Sequence, residues 1–201
     1  MTYSIKQLKN MIQNEKRLPL DFNQWYLIIN KKERTPIAYL AAMHNCLPPD
    51  FDRWYLRDKD GRTVAHTTAY YGYLPSGFNQ WELADNSGWT VAHQAAMYGH
   101  LPPNFNQWEL ANVLGWTVAH VAAKYGYLPP DFNQWDLADY TGWTVAHTAT
   151  ERDYLPPNFN QWDLTDELGN TVAQVAYYTR HLPPDFDRWE LIEEHEEETE
   201  L

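Results

Sequence analysis

The feature that most constrains this chain is a 27-residue phrase repeated along its length. Residues 101–127 read LPPNFNQWELANVLGWTVAHVAAKYGY, residues 128–154 read LPPDFNQWDLADYTGWTVAHTATERDY, and residues 74–100 read LPSGFNQWELADNSGWTVAHQAAMYGH. A fixed period of this length implies a stacked array, in which no unit can bury its apolar face alone and neighbours bury it together. One tryptophan of the phrase recurs at Trp25, Trp54, Trp81, Trp108, Trp135, Trp162 and Trp189. Every interval is 27 residues except the first, which is 29, and the two extra residues fall within 28–34, read as a loop. The TVAH phrase starts at Thr63, Thr90, Thr117 and Thr144, and degrades to TVAQ at Thr171 and PIAY at Pro36. The reading is six units between two half-units, with atypical outer copies.

Local chemistry sets the expectation within a unit. Thr117 reads as an N-cap, followed by a helix of about two turns over 118–125 and by Gly126 in the left-handed region. Small Ala119, Ala122 and Ala123 let neighbouring helices approach. Pro129 and Pro130 then bar continuation and start a new segment. Phe132, Trp135 and Leu137 are expected on the buried side of a second, very short helical turn, and residues 139–142 form a tight turn closed by glycine. Ahead of the array, residues 4–16 read as a helix capped by Ser4, with Ile5, Leu8 and Ile12 on one face and Lys6, Lys9 and Lys16 on the other.

Composition bounds the partner. The net charge is −12, which argues against a nucleic-acid binder held by phosphate contacts and fits a basic partner. The charge is uneven: residues 1–35 carry seven Lys/Arg against three Asp/Glu, whereas 190–201 hold seven Glu and no Lys or Arg. Cys46 is the single cysteine, so no internal disulfide forms, which suits a reducing compartment. The first residues contain no apolar run of signal-peptide type, and no stretch is long enough to span a membrane; a soluble, cytoplasmic protein is expected.

The residues also carry a resemblance. GxTVAHxAAxYGxL resembles the GxTPLHxAAxxGHL phrase of ankyrin repeats, and the preceding DLADxxGWT is similar to the ankyrin turn. The match covers about 20 of 27 positions per unit through six units. It departs in having Val-Ala for Pro-Leu, and in a stretch about six residues shorter between the helix-ending glycine and the turn, so most of the second ankyrin helix is missing. The resemblance implies an all-α solenoid of short helix–turn–helix units: a capping helix over 1–17, six repeats over 18–181, and a half-repeat cap with an acidic tail over 182–201.

Candidate sites follow from position in the unit. The histidines His66, His93, His120 and His147 form a row. Equivalent residues of neighbouring units lie roughly 8–10 Å apart, too far to share a zinc that needs each nitrogen within about 2.1 Å. The resemblance implies instead that each bonds the Thr hydroxyl and the turn backbone, and no metal or cofactor is expected. The monotonous Asn-Gln of FNQW is read as a repeated structural bond between units. Trp89, Trp116 and Trp143 occupy the turn position that in ankyrin repeats faces partners. The two positions before the turn glycine, and the late-helix pairs Tyr70-Tyr71, Met97-Tyr98, Lys124-Tyr125 and Glu151-Arg152, are similar to ankyrin contact positions too, and the residues there vary between units. The candidates among them are Tyr71, Met97, Tyr98, Lys124, Tyr125 and Arg152. Large aromatics, Met and Arg are the types enriched at binding hot spots. The competing reading is that the tryptophans merely staple the turns. In the fifth unit Glu151-Arg152-Asp153 replaces the usual Tyr-Gly pattern. The tail at 193–201 reads as a solvated charge block.

No Gly-rich phosphate loop, GxSxG or HExxH occurs, and Cys46 with nearby His44 does not form a catalytic group. The expected function is non-enzymatic recognition of a protein or peptide, with a basic partner steered by the acidic chain. Two alternatives stand beside it: an acidic inhibitor or nucleic-acid mimic that blocks a basic site, and an aromatic row that binds a sugar or other flat ligand.

Overall fold

The computed structural model describes residues 3–19 and 21–193; the acidic tail lies outside the described residues from 194 onward. The chain divides into two compact units, Met1–Pro102 and Pro103–Leu201.

The first unit opens with α1 (Ile5–Asn10), continued by a π-helical turn, Met11–Glu15. Ser4 caps α1 by accepting from the Gln7 N–H, while the Gln7 side chain returns to the Ser4 N–H. Leu8 and Ile12 are fully buried. A short antiparallel hairpin follows, β1 (Ile28–Asn30) with β2 (Thr35–Pro36), then α2 (Ile37–Met43), α3 (Val64–Tyr71) and α4 (Val91–Met97). α3 packs between α2 and α4. The second unit contains α5 (Val118–Tyr125), α6 (Val145–Thr150), α7 (Val172–Thr179) and α8 (Glu190–Glu193), each packed on the next.

Every repeat helix from α3 to α7 starts at a threonine whose hydroxyl accepts the N–H three residues on, in a reciprocal capping box with His or Gln. The helices are short because the backbone turns left-handed at one repeat position. That position is Asn45, Gly72, Gly99, Gly126, Asp153 and Arg180, with φ between 54° and 75° in every copy. Side chains avoid this region, so glycine is the residue of choice. The Glu151-Arg152-Asp153 departure keeps the geometry: Asp153 simply takes the glycine's place at φ 60°.

The second helical segment is shorter than expected. The Phe132 N–H donates to the Pro129 carbonyl at 3.0 Å and the Leu137 N–H to the Gln134 carbonyl at 3.3 Å, giving two successive turns rather than a helix. The turns aim Phe and Trp inward. In the first unit Phe22, Trp25, Phe51, Trp54, Phe78 and Trp81 form an edge-to-face series, with ring centroids 4.8–5.5 Å apart and planes at 82–89°. In the second unit the series runs from Phe105 and Trp108 to Phe186 and Trp189, at 5.0–5.6 Å. Edge-to-face pairs add about 0.5–1.5 kcal/mol each beyond area burial. This zipper, together with buried Val and Ala from the helices, forms the core of each unit.

Among the described residues the expected Asn-Gln bond between units does not form. Asn79, Asn106, Asn133 and Asn160 are exposed, and their side chains make no hydrogen bond among the described residues. What repeats is main-chain: the glutamine carbonyl closes the second turn.

The two-residue insertion lengthens a finger. Ile28 pairs with Pro36 as Arg57 pairs with Thr63 in the next repeat, but with seven intervening residues instead of five. The residues read as a loop therefore belong to a hairpin.

Candidate recognition surface

Between the Phe–Trp zipper and the next helix the chain makes a finger. At Asp85 the carboxylate accepts the Ser87 and Trp89 N–H groups at 2.9 and 3.0 Å, and Gly88 closes the turn at φ 75°. Asp139 and Asp166 do the same for their fingers. Each finger delivers one residue directly before the capping threonine: Arg62 and Trp89 in the first unit, Trp116, Trp143 and Asn170 in the second.

The histidine row is structural. In the second unit the Thr117 N–H donates to His120 Nδ1 at 3.2 Å, so Nδ1 carries no proton, and Nε2–H donates to the Trp143 carbonyl of the next finger at 2.8 Å. His147 reaches the Asn170 carbonyl at 3.0 Å, and in the first unit His66 reaches that of Trp89 at 2.8 Å. The outer copies each keep one half of this arrangement, Tyr39 the link to the next finger and Gln174 the cap. Tyr39 stands at the histidine position and its hydroxyl donates to the Arg62 carbonyl. Gln174 accepts the Thr171 N–H at 2.8 Å. Burial pushes the imidazoles of His66, His120 and His147 down, opposed by the hydrogen bond to the next carbonyl. Both nitrogens of each are committed to hydrogen bonds, which leaves no lone pair for a metal.

The finger tryptophans are half-buried. Each lays its ring against the capping histidine of its own repeat: Trp89 on His93 at 4.9 Å, Trp116 on His120 at 5.7 Å and Trp143 on His147 at 4.8 Å. Trp143 Nε1–H also donates to Thr148 Oγ1 at 3.1 Å. One ring face therefore supports the cap while part of each ring stays open.

The remaining sequence candidates distribute as follows. In the first unit Tyr70 touches both Tyr71 and Tyr98, at 4.8 and 4.6 Å, and Tyr71 stacks on Tyr73 at 6.0 Å. Met97 is half-buried nearby on α4. A groove of about 200 Å³ in this unit is lined by Met43, Arg62, Thr67, Tyr70, Tyr71 and Gln94, along with His66. In the second unit the Lys124 ammonium sits 5.2 Å above the Trp116 ring, a cation–π contact. Tyr125 is exposed at the end of α5. Arg152 is exposed on the turn after α6, with no ion pair or ring contact among the described residues.

The resemblance places Tyr70, with Tyr71, among the contact positions, and Tyr70 joins Tyr71 to Tyr98. It also covers the two positions before each turn glycine, but sequence reasoning did not single out how apolar they are in the second unit. Val113, Leu114, Tyr140 and Leu168 are all strongly exposed, Leu168 at 82%. The signal was present: the corresponding tips of the first unit are polar, Lys59-Asp60 and Asn86-Ser87.

Among solved structures, the chain is similar to the ankyrin repeat domain of Bcl-3, a member of the IkappaB protein family. The TM-score is 0.57 at 17% identity, over 85% of this chain and 86% of that one. No family model matches the sequence, and no curated protein sequence does. The likeness establishes the fold: an all-α, ankyrin-like repeat array built from shortened units. Among the described residues no helix is long and apolar enough to cross a membrane.

Proposed function

We propose that the chain is a non-enzymatic recognition module that binds a protein or peptide through its fingers and helix ends. One observation carries this reading. Core positions hardly change between repeats, yet the exposed pair at each fingertip differs in every copy. The tips run Lys59-Asp60, Asn86-Ser87, Val113-Leu114, Tyr140-Thr141 and Glu167-Leu168. Exposed Val, Leu and Tyr on turns do nothing for the core, and such residues mark interaction sites. Trp89, Trp116 and Trp143 serve as anchors held rigid by the capping histidines, so little side-chain freedom is lost on binding. Tyr71, Met97, Tyr98, Lys124, Tyr125 and Arg152 supply the flanking contacts at the helix ends, with Tyr recurring at 71, 98 and 125 and Arg152 replacing it in the fifth unit. The chain's negative charge favours a basic partner.

The test is selection from a displayed peptide library, followed by titration of a recovered peptide against the Trp89→Ala, Trp116→Ala, Trp143→Ala variant. A folded variant that loses affinity by about tenfold or more supports the reading. Full affinity in a folded variant sinks it. Binding that survives the substitutions but vanishes in high salt points to an acidic blocker. Quenching of tryptophan emission by sugars or flat ligands, with no peptide recovered, points to the small-molecule alternative.

A further inference from the structure

Cations without matching acids concentrate on one face at the start of the chain. Lys6 and Lys9 stand on α1; Lys31, Lys32 and Arg34 stand on the turn of the β1–β2 hairpin. All are exposed but Lys9, which is half-buried and donates to the Ile29 carbonyl at 3.5 Å, bringing helix and hairpin side by side. The one acid of that turn, Glu33, is taken by Lys59 at 2.5 Å. The turn is also the place where the 27-residue period slips, and the lengthened finger is the one that carries these charges. Beside it, away from buried Leu8 and Ile12, lies an open groove of about 500 Å³ lined by Ile5, Lys6, Lys9, Asn10, Gln13 and Asn14. Ile5 is 39% exposed there.

The last half-repeat has the opposite character. Trp189 ends the Phe–Trp zipper 49% exposed, where the other zipper tryptophans are at most 9% exposed. Residues 190–201 then bring seven Glu and no cation.

We propose that these two faces meet between copies. Trp189 and the Glu-rich segment 190–201 of one copy dock on the α1–hairpin face of a second, with Trp189 against the apolar edge at Ile5 and glutamates against the lysines. Charge complementarity selects the occupant. Nucleic acid and anionic membranes, the other polyanions, would be repelled by a chain of net charge −12. A contact of this kind is heterologous: each copy keeps one free face of either sort, so association grows by addition.

Sedimentation velocity over a dilution series tests this at about 0.1 M and about 1 M salt, where the screening length falls from about 10 Å to about 3 Å. The wild type is expected to gain mass with concentration at low salt and to dissociate at high salt. A head variant (Lys6→Glu, Lys31→Glu, Lys32→Glu) and a tail variant (Glu194→Lys, Glu196→Lys, Glu197→Lys) each lose association by about tenfold or more. Mixed one to one, they form a complex, because the native tail of the head variant meets the native head of the tail variant, and the reversed head and reversed tail also match in charge. Circular dichroism checks the helices; should the head variant unfold, the tail variant and Trp189→Ala carry the test. Absence of concentration-dependent association overturns the proposal, as does indifference to the reversals or failure of the mixture to associate. A salt effect independent of concentration would place the tail on its own chain and overturn the contact between copies.

Discussion

Arg180 holds φ 64° at the repeat position where three other copies carry glycine. A side chain there costs roughly 1–2 kcal/mol in the left-handed region. Arg180→Gly is therefore expected to stabilise the protein by about 1 kcal/mol, less the extra freedom glycine gives the unfolded chain. A urea midpoint that falls instead would mean that the arginine makes contacts worth more than the strain. A second residue-scale test exploits Gln174, which already replaces histidine and still accepts its threonine N–H. His120→Gln should keep the Thr117 cap. It should cost about 0.5–1.5 kcal/mol if the bond to the Trp143 carbonyl is lost. Amide exchange at Thr117, slow in both proteins, checks that the cap survives. The histidine role was legible from the TVAH phrase and its resemblance. The tautomer was not, since it depends on a carbonyl 23 residues away that only folding brings near.

At the scale of elements, the shortened repeat exchanges a helix for two turns and a pair of rings. The sequence announced that Phe132 and Trp135 are buried, because a short apolar pair flanked by polar residues recurs without change. It did not reveal that they stand edge to face, or that two turns suffice. Helical periodicity cannot be established from one pair of aromatic residues three apart, and Pro129-Pro130 is compatible with either form. The Asn-Gln expectation failed for a related reason: repetition shows that a position is constrained, not which atoms constrain it. Trp135→Ala removes a ring packed between Phe132 and Phe159 at 5.1 and 5.6 Å. A loss of about 3–5 kcal/mol is expected, whereas Asn133→Ala should stay within about 0.5 kcal/mol. Chemical denaturation of the two variants separates ring packing from amide chemistry.

For the whole molecule, the capping histidines set a pH dependence. Burial lowers His66, His120 and His147 below the ordinary value of about 6.5. As pH falls, the unfolded chain binds protons first, so stability is complete above about pH 6.5 and declines below it toward the lowered folded values. Asp85 faces His66, Asp139 faces His120, and Asp139 and Asp166 face His147, softening the decline; Arg62 and Arg57 steepen it at His66. Thermal melts from neutral to mildly acid pH should show a falling midpoint, and His120→Gln should flatten the slope. A midpoint flat across that range would mean that these imidazoles titrate alike folded and unfolded. The array and its outer copies were legible at this scale because period is a property of the whole string. The candidate surface was only half legible, since exposure of Tyr140 or Leu168 is decided by how far a finger projects.

The lengthened first finger has a consequence for how such a chain tolerates foreign sequence. Its two added residues leave Ile28 paired with Pro36, Tyr39 in reach of Arg62, and Trp25 at 5.2 Å from Phe51. The spacing of the core is thus independent of the number of residues at the fingertip. Fingertips are the natural graft points of this scaffold: a loop inserted between Tyr140 and Thr141 would be carried outward without disturbing the rings beneath it.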